Sequence, residues 1–233
     1  MGGAVDRRGQ DSGSGGEGRR PQHYFAADPA AASRPGSVDL VLPDVHLRLA
    51  TDRGVFSADR VDLGTRVLLE SVPPPPARGR LLDLGCGYGP IALAMAARAP
   101  DAAVLGVDVN ARALELAQRN AAENGLYNVD FQLVEADGSP APAASAPAPP
   151  GPGATGPFDA LWSNPPIRIG KPALHALLRT WLSRLSPGGR AHLVVQRNLG
   201  ADSLHRWLEQ EARLATERTA SRAGYRVLCV HAP

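Results

Sequence analysis

Alternating apolar and polar positions between residues 37 and 76 predict a small N-terminal unit. Residues 38–42 and 45–49 alternate on either side of Pro43-Asp44, a pattern typical of a β-hairpin with its turn at the proline. Residues 62–70 then place apolar side chains at helical spacing behind an acidic first position, so we expect a short helix there. The proline run at 73–76 predicts a stiff connector to the rest of the chain.

From residue 80 the pattern alternates between short apolar runs and amphipathic stretches. The predicted strands are 80–84, 103–107, 129–134, 158–162, 192–196, 214–219 and 225–230. The predicted helices are 90–98, 110–124, 172–185 and 201–210. Strands that alternate with helices imply an α/β fold with a seven-stranded, mostly parallel sheet covered by helices on both faces. The N-terminal hairpin is expected as a small extension of it.

Composition divides the chain into three parts. Residues 1–21 are rich in glycine and arginine and nearly devoid of apolar side chains, so we expect a disordered tail. Residues 22–76 form the hairpin and helix extension, and 77–233 the main domain. Within that domain, 139–157 consists almost wholly of Pro, Ala, Gly and Ser, which predicts a surface insertion.

Charge and cysteine content exclude several classes of protein. The net charge of +2 in 233 residues permits a nucleic-acid partner without requiring one. Two cysteines, Cys86 and Cys229, do not make a disulfide framework or a metal cluster, so we expect buried thiols and no metal. No apolar run approaches the roughly 18 residues of a membrane span, and the N-terminus lacks the apolar core of a secretory signal. We therefore expect a cytoplasmic protein, and a monomer.

A glycine loop directly follows the first predicted strand of the main domain. Its sequence is Asp83-Leu-Gly-Cys-Gly-Tyr-Gly89. Gly85, Gly87 and Gly89 allow a sharp turn that brings backbone N–H groups close to a ligand, and the next helix begins at once. The spacing is Gly-x-Gly-x-Gly and differs from the Gly-x-Gly-x-x-Gly of dinucleotide enzymes. The loop therefore predicts a site for a nucleotide-like cofactor at the carboxyl edge of the sheet.

Acidic residues end the next two predicted strands. Asp108, 25 positions after Asp83, is placed to accept hydrogen bonds from both hydroxyls of a ribose, and Asp137 from an adenine amino group. A helix-start carboxylate beside Asn110 is the alternative interpretation of Asp108, and an ordinary loop residue is that of Asp137. The whole pattern resembles the class I S-adenosylmethionine-dependent methyltransferases. That resemblance implies a Rossmann-like fold and places Asp83 and Gly85 near the methionine end of the cofactor.

The sequence Asn164-Pro165-Pro166 follows the fourth predicted strand of the main domain. Two prolines fix the backbone and expose carbonyls that we expect no local N–H to claim. The Asn164 side-chain oxygen and the Pro165 carbonyl are then expected to accept hydrogen bonds from the two N–H groups of an exocyclic amino group, while the cofactor's methyl is held in line. The arrangement resembles amino-group methyltransferases acting on adenine, guanine or glutamine. Many of these carry an aromatic residue where this chain has Ile167.

Longer segments resemble the methyltransferase small domain family, whose members include RsmC-like ribosomal RNA guanine-N2 methyltransferases. The matching segments are Gly54-Val-Phe-Ser57, Asp62-x-Gly-Thr65, Asp83 to Gly89, Ser163-Asn-Pro-Pro-Ile-Arg-x-Gly-Lys171, Gln196 with Gly200-Ala-x-Ser-Leu204, and Gly224-Tyr-Arg-Val-Leu228. The resemblance implies S-adenosylmethionine as cofactor and places Thr65 beside its methionine end. It implies guanine N2 of small-subunit ribosomal RNA as the acceptor, although the chain lacks the duplicated N-terminal domain of the enteric enzyme.

Residues after the Asn-Pro-Pro turn are candidates for contact with the substrate. Ile167, Arg168 and Lys171 stand where a polynucleotide enters. Further arginines that would converge on the pocket to bind phosphates are Arg197, Arg222 and Arg226, for each of which solvated surface charge is the alternative. Because Ile167 is not aromatic, planar stacking on a base must come from another residue or be weaker. The candidates are Tyr24, Phe25, Phe56 and Trp162, for each of which a place in the core is the alternative.

Three hypotheses about function follow. The first is an RNA guanine-N2 methyltransferase. The second is a protein glutamine or DNA adenine methyltransferase, for which an aromatic residue at 167 would be usual. The third is a cofactor-binding module without catalysis or a nicotinamide oxidoreductase, which the glycine spacing and the intact Asn164-Pro165-Pro166 disfavour.

Overall fold

Strands and helices alternate along the chain in the predicted order. The computed structural model describes residues 35–52, 60–135, 139 and 156–233. Its strands are β1 Gly36–Val41, β2 His46–Thr51, β3 Arg78–Leu84, β4 Asp101–Asp108, β5 Val129–Leu133, β6 Phe158–Ser163, β7 Leu185–Gln196, β8 Thr216–Arg222 and β9 Tyr225–His231. Its α-helices are α1 Leu63–Ser71, α2 Pro90–Arg98, α3 Ala111–Glu123, α4 Lys171–Leu182 and α5 Ala201–Gln210.

Seven strands form the main sheet in the order β5-β4-β3-β6-β7-β9-β8. The first five are parallel to one another, whereas β9 is antiparallel to both β7 and β8. The central pair, β3 and β6, is in register from Leu81 opposite Ala160 to Leu84 opposite Ser163. The segments that follow these two strands therefore emerge side by side. The predicted Rossmann-like fold, with its seven-stranded sheet and separate N-terminal hairpin, is confirmed.

Two apolar cores cover the two faces of the sheet. One is formed by α1, α2 and part of α3 together with the hairpin, and its members include Leu40, Leu68 and Leu93. The other is formed mainly by α4 and α5, with Leu178 and Trp207 among its members. Sheet residues are buried between these layers, so the carboxyl-terminal parts of β3, β6 and β7 are buried and mostly apolar.

Asn120 ties the hairpin to the glycine loop. Its side chain is buried on α3, where Oδ1 accepts a hydrogen bond from the Ala50 N–H at 2.7 Å. Its Nδ2 donates to the Ala50 carbonyl at 3.0 Å and to the Tyr88 carbonyl at 2.9 Å. The Asn120 amide thus pairs with the backbone of β2 and, at the same time, with the backbone of the loop after β3. The predicted boundary at residue 76 therefore separates segments that share hydrogen bonds and one core.

The end of α4 differs from the prediction. The helix was expected to run to Leu185, but it ends at Leu182 with Ser183 as its C-cap. Leu185 instead begins β7, which passes through Pro187-Gly188-Gly189 and pairs with Phe158 across a shift of register. Helical periodicity continues past Ser183, and only the available partner on β6 decides for the strand.

Among the described residues there is no helix long and apolar enough to cross a membrane.

Candidate active site at the carboxyl ends of the strands

A cavity of about 440 Å³ lies at the carboxyl ends of β3, β4, β6 and β7. This is the edge where open α/β sheets bind ligands. The predicted site residues that line it are Thr65, Gly85, Gly87, Asp108, Asn164, Pro165, Pro166, Ile167 and Arg168. The two sequence motifs, about eighty residues apart, thus border the same space. The predicted adenine contact, Asp137, lies outside the described residues.

The glycine loop turns sharply where β3 ends. The N–H groups of Gly85 and Cys86 both donate to the Val107 carbonyl, at 2.9 and 3.0 Å, which holds the loop against β4. Gly85 and Gly87 have φ of +76° and +55°, and a Cβ built on either would meet no described atom within 4 Å. Their missing side chains leave open space on the cavity side. The loop thus forms a bare backbone floor that suits an adenosyl ligand.

Asp83 and Gly89 support this floor from behind and are not among the described lining residues. Asp83 is 0% exposed, and its Oδ2 accepts the Ala92 N–H at 2.8 Å, so the carboxylate anchors the first turn of α2. Burial raises the pKa of Asp83 well above its ordinary value. Gly89 is the N-cap of α2 at φ +98°, and an added Cβ would lie 3.3 Å from Ala117 and Leu93. Asp83 therefore supports the loop through a hydrogen bond, and Gly89 supports it through close packing.

Asp108 ends β4 at the rim of the cavity, as predicted. Its Oδ2 accepts the Gly87 N–H at 2.8 Å, and its Oδ1 accepts the Asn110 N–H at 2.9 Å. Burial raises the pKa of Asp108, and the hydrogen bonds from Gly87 and Asn110 oppose that rise. Asn110 in turn caps α3 by accepting the Ala113 N–H. The helix-start interpretation therefore describes real contacts, and the carboxylate borders the cavity as well.

The Asn-Pro-Pro turn is an inverse γ-turn centred on Pro166. That residue has φ −74° and ψ 71°, and the Ile167 N–H donates to the Pro165 carbonyl at 2.8 Å. The Pro166 carbonyl also accepts, from the Ile169 N–H at 3.1 Å. The expectation that no local N–H claims these carbonyls is therefore wrong. Each oxygen keeps a second lone pair, but the Asn164 side-chain oxygen becomes the main free acceptor at the turn.

Asp62 fixes the orientation of the Asn164 amide. Asn164 Nδ2 donates to Asp62 Oδ2 at 2.9 Å and to Thr65 Oγ1 at 3.2 Å. Because an ionised carboxylate only accepts hydrogen bonds, the NH₂ group must face α1 and the amide oxygen must face the other way. Asp62 also caps α1 by accepting the Thr65 N–H at 3.1 Å. The acidic residue at position 62 indicated only the start of a helix, and the Asp-x-Gly-Thr pattern was the signal in the sequence for its part in the site.

The rim of the cavity carries part of the predicted basic surface. Arg168 lines the cavity, whereas Lys171 is exposed at the start of α4 and is not among the described lining residues. The other three arginines, Arg197, Arg222 and Arg226, border a neighbouring cleft of about 190 Å³. Arg222 pairs with Glu70 at 2.7 Å and Arg226 pairs with Asp202, so two of these charges are partly compensated.

The predicted stacking residues do not supply an aromatic wall within the described part of the chain. Trp162 is 1% exposed, because its position on β6 places its side chain in the core between the sheet and the helices α1 and α2. Tyr24, Phe25 and Phe56 lie outside the described residues. The aromatic residues found at the cavity are Tyr88, in the glycine loop, and Tyr225, at the start of β9. Gln196, at the end of β7, lines it too.

Cys229 has neighbours that the sequence did not indicate. It is buried on β9, and its Sγ lies 3.8 Å from Nε2 of His231, which lies 3.2 Å from Oε1 of Glu217. Because β9 begins at the cavity and runs away from it, this cluster lies toward the far end of the strand. None of its three members is among the described residues that line the cavity.

The fold and cavity together define a Rossmann-like α/β protein with a nucleotide-type cofactor site beside an Asn-Pro-Pro turn. The sequence model of the methyltransferase small domain family matches residues 46–229, and the chain belongs to that family. The predicted membership in the class I S-adenosylmethionine-dependent methyltransferases is thereby confirmed, and S-adenosylmethionine is the family's cofactor.

Similar proteins fall into a short and a long group. YbxB of Bacillus subtilis, described as uncharacterized, is 33% identical over 189 residues, which cover 81% of this chain and 88% of YbxB. Ribosomal RNA small subunit methyltransferase C of Hahella chejuensis is 40% identical over 157 residues, or 66% of this chain and 41% of that protein. The chain spans about half or less of the methyltransferase C proteins it matches.

Among solved structures, the Thermus thermophilus 16S rRNA N2 G1207 methyltransferase (RsmC), in complex with AdoMet and guanosine, superimposes with a TM-score of 0.68. It is 26% identical, and the match covers 89% of this chain and 53% of that chain. TrmN from Thermus thermophilus, 27% identical, matches 72% of this chain and 47% of its own length with a TM-score of 0.52.

Proposed function

We propose that this methyltransferase transfers the methyl group of S-adenosylmethionine to an exocyclic amino group, namely guanine N2 of small-subunit ribosomal RNA. The observation that carries the proposal is the hydrogen bond from Asn164 to Asp62. It turns the amide oxygen of Asn164 away from α1 at the lip of the cavity. An acceptor oxygen fixed in that orientation suits an N–H donor, which an amino group supplies and a carbonyl does not.

The described residues fit the cofactor. When bound, S-adenosylmethionine supplies an electrophilic methyl group on a sulfonium. In this proposal the open backbone of Gly85 and Gly87 receives the cofactor, and Asp108 accepts hydrogen bonds from its ribose hydroxyls through lone pairs that Gly87 and Asn110 leave free. Asp83 and Gly89 act by holding the loop and α2 in place. Thr65 stands at the methionine end, next to Asn164. We keep Asp137 as the proposed adenine contact.

The Asn-Pro-Pro turn positions the acceptor. The lone pair of an aryl amine is delocalised into its ring, so the nitrogen is a poor nucleophile until positive charge can build up on it. The Asn164 oxygen, and the second lone pair of the Pro165 carbonyl, stabilise that charge by accepting hydrogen bonds from the two amino N–H groups. Pro166 keeps this geometry rigid because its ring presets φ. In-line placement supplies the rest, and the proton released after transfer passes to water.

RNA is the partner that the relatives favour. The Thermus thermophilus neighbour acts on 16S rRNA and its structure holds guanosine, and it matches 89% of this chain. Arg168, exposed at the lip of the cavity, gives a positive charge where a phosphate backbone would pass. Ile167 and Lys171 complete the proposed substrate contacts. We place the reaction in the cytoplasm, on a monomeric enzyme that needs no metal.

A protein glutamine or DNA adenine acceptor is the second candidate, since both present an sp² NH₂ group to Asn-Pro-Pro.

To choose between RNA, protein and DNA as the substrate, the enzyme is given radiolabelled S-adenosylmethionine with four substrates in parallel. These are an unmodified small-subunit rRNA transcript, small ribosomal subunits, double-stranded DNA and a total protein fraction. We expect label in the RNA or the subunits, at guanine after nucleoside digestion.

The Asn164→Ala variant tests the site in the same assay. We expect the rate to fall at least 100-fold, because a transition-state hydrogen-bond acceptor of this kind contributes about 2.7–4 kcal/mol. Calorimetric titration with S-adenosylhomocysteine should give an affinity within threefold of the parent. Label in protein or DNA with unlabelled RNA would overturn the RNA assignment, and full activity of Asn164→Ala would overturn the amino-group mechanism.

A further inference from the structure

Tyr225 forms an aromatic wall on the acceptor side of the cavity. It begins β9, opposite Gln196 at the end of β7, and both residues line the cavity together with Asn164. Its side chain is half-buried, whereas Tyr88, the other aromatic ring lining the described part of the cavity, is only 3% exposed within the glycine loop. The ring of Tyr225 is therefore the accessible one, on the side of the cavity away from the cofactor floor.

Gly64 provides a flat seat for this ring. A Cβ built on Gly64 would lie 2.7 Å from Cε1 and 3.1 Å from Cδ1 of Tyr225, so any side chain there would push the ring outward. Gly64 is buried within the first turn of α1, where its φ is ordinary. The requirement for glycine at this position is thus the close approach of the ring. One edge of the ring packs on α1 and leaves ring surface for the cavity.

Asp62 couples the ring to the acceptor site. Its carboxylate, which holds the Asn164 amide, is also close enough to raise the pKa of Tyr225, after the larger effect of burial. The ring and the amide oxygen are therefore arranged around the first turn of a single helix. A planar group with its amino edge at Asn164 would occupy the part of the cavity that Tyr225 also lines.

The neighbouring arginine cleft shares Tyr225 with the cavity. Arg197, Arg222 and Arg226 border this cleft of about 190 Å³. Arg222 and Arg226 have acidic partners, and Arg197 is exposed in the turn that follows β7. A strand that leaves the cavity past Tyr225 would thus pass over positive charge. Tyr225 thus borders both the cavity and a basic cleft whose charge suits the phosphates of a nucleotide.

We propose that Tyr225 is the platform on which the target nucleobase stacks when Asn164 receives its amino group. The inference rests on the proposed function, because it requires a nucleobase as the acceptor. A base taken out of an RNA structure loses its stacking partners, and an aromatic face replaces part of that energy. The ring supplied by β9 substitutes for the aromatic side chain that Ile167 does not provide after the Asn-Pro-Pro turn.

The test compares four variants in methyl transfer to the unmodified small-subunit rRNA transcript. Tyr225→Ala removes the ring, Tyr225→Leu keeps apolar volume against Gly64 without an aromatic face, and Tyr225→Phe keeps the face without the hydroxyl. Tyr127→Ala is the matched control, since Tyr127 is 87% exposed between α3 and β5. KM for RNA, kcat and the affinity for S-adenosylhomocysteine are measured for each, with melting temperatures to confirm folding.

We expect KM for RNA to rise about tenfold or more in Tyr225→Ala and Tyr225→Leu, in line with the effect of removing a base-stacking ring. Tyr225→Phe and Tyr127→Ala should stay within twofold of the parent, and all four should bind S-adenosylhomocysteine normally. The inference is overturned if Tyr225→Leu matches the parent. It is equally overturned if Tyr225→Phe is as impaired as Tyr225→Ala, because the hydroxyl would then be the functional group.

A binding measurement separates this inference from the proposed function. Guanosine 5′-monophosphate is titrated into the parent and Tyr225→Leu proteins, each saturated with S-adenosylhomocysteine, and followed by calorimetry. Weaker binding to Tyr225→Leu supports the platform even before turnover is examined, and equal binding contradicts it. If the parent labels protein or DNA and leaves RNA unlabelled, the RNA assignment fails; if it labels RNA and Tyr225→Leu does so equally well, only the platform fails.

Discussion

The glycine-loop side of the cavity and the Asn164 side are built in different ways. The first comes from one continuous part of the chain, residues 84–113, in which β3, the loop, α2 and β4 follow one another. The second is assembled from residues 62–65, 164–168, 196–199 and 225. Backbone groups and small residues dominate the first side, whereas side chains held by distant partners dominate the second.

Under the proposed function, this difference separates cofactor binding from acceptor choice. The glycine loop is fixed by its own strand and helix, so its backbone does not depend on how the acceptor side is packed. The acceptor wall depends on how α1, β6, β7 and β9 pack, so small changes in packing alter its side chains without disturbing the loop. We therefore expect variants on the glycine-loop side to change cofactor affinity, and variants on the Asn164 side to change turnover.

After Asn164→Ala, the largest effect is expected from Asp62→Asn on the acceptor side. Asparagine still caps α1, but its NH₂ group allows the Asn164 amide to turn over, which removes a charge-assisted hydrogen bond worth about 1.5–3 kcal/mol. We expect kcat/KM for RNA to fall about 50-fold, with S-adenosylhomocysteine affinity and melting temperature unchanged. Asp101→Asn, an exposed carboxylate paired with Arg78, is the control. Equal activity in the two variants would rule out an orienting role for Asp62.

The next effect concerns the sheet under the acceptor side. His192 on β7 is 5% exposed, and burial is the main cause that lowers its pKa to about 4, with help from Arg190 and His231. A depressed pKa stabilises the fold above pH 6.5 and loses that contribution as pH falls toward 4. Between pH 7.5 and 5 we expect the parent to lose about 2 kcal/mol more unfolding free energy than His192→Gln. Parallel denaturant titration profiles for the two proteins would contradict this.

Two acids on the glycine-loop side, the buried Asp83 and the partly exposed Asp108, change the stability with pH in the opposite direction. Burial raises the pKa values of Asp83 and Asp108, so their contribution to stability is greatest at low pH and is lost as pH rises. The acid-induced loss should therefore be assigned to the imidazole, and the His192→Gln comparison isolates it.

A smaller effect is expected from Gly87→Ala on the cofactor side. Gly87 and Gly125 both have positive φ, +55° and +67°, and both have open space where a Cβ would stand. Alanine costs about 1–2 kcal/mol in this conformation at either position. Only Gly87 borders the cavity and donates to Asp108, so Gly87→Ala should weaken S-adenosylhomocysteine binding about tenfold and Gly125→Ala should leave it unchanged. Calorimetry measures both, and similar affinities would refute the distinction.

Local sequence patterns determined the elements and the cofactor side. Apolar runs and capping residues predicted α2, α5 and the start of α3 closely, because hydrogen bonds within a helix and its caps involve neighbours in sequence. The loop from Asp83 to Gly89 and the turn at Asn164 were found for the same reason. Their meeting also followed from sequence, since two parallel neighbouring strands end at one edge of a sheet.

Tertiary packing decided the rest. The bond between Asn164 and Asp62 joins residues 102 positions apart, and nothing local to either predicts it. The contact of Tyr225 with Gly64 depends on how α1 lies across β9. The burial of Trp162 depends on which face of β6 is covered by the core. The Pro165 carbonyl accepts a hydrogen bond from the Ile167 N–H, because the backbone forms a turn that the fixed φ of proline does not determine by itself. The cofactor loop is held by hydrogen bonds between residues close in sequence, so the sequence predicts it. The acceptor wall forms only when the helices pack on the sheet, so the sequence alone does not predict it.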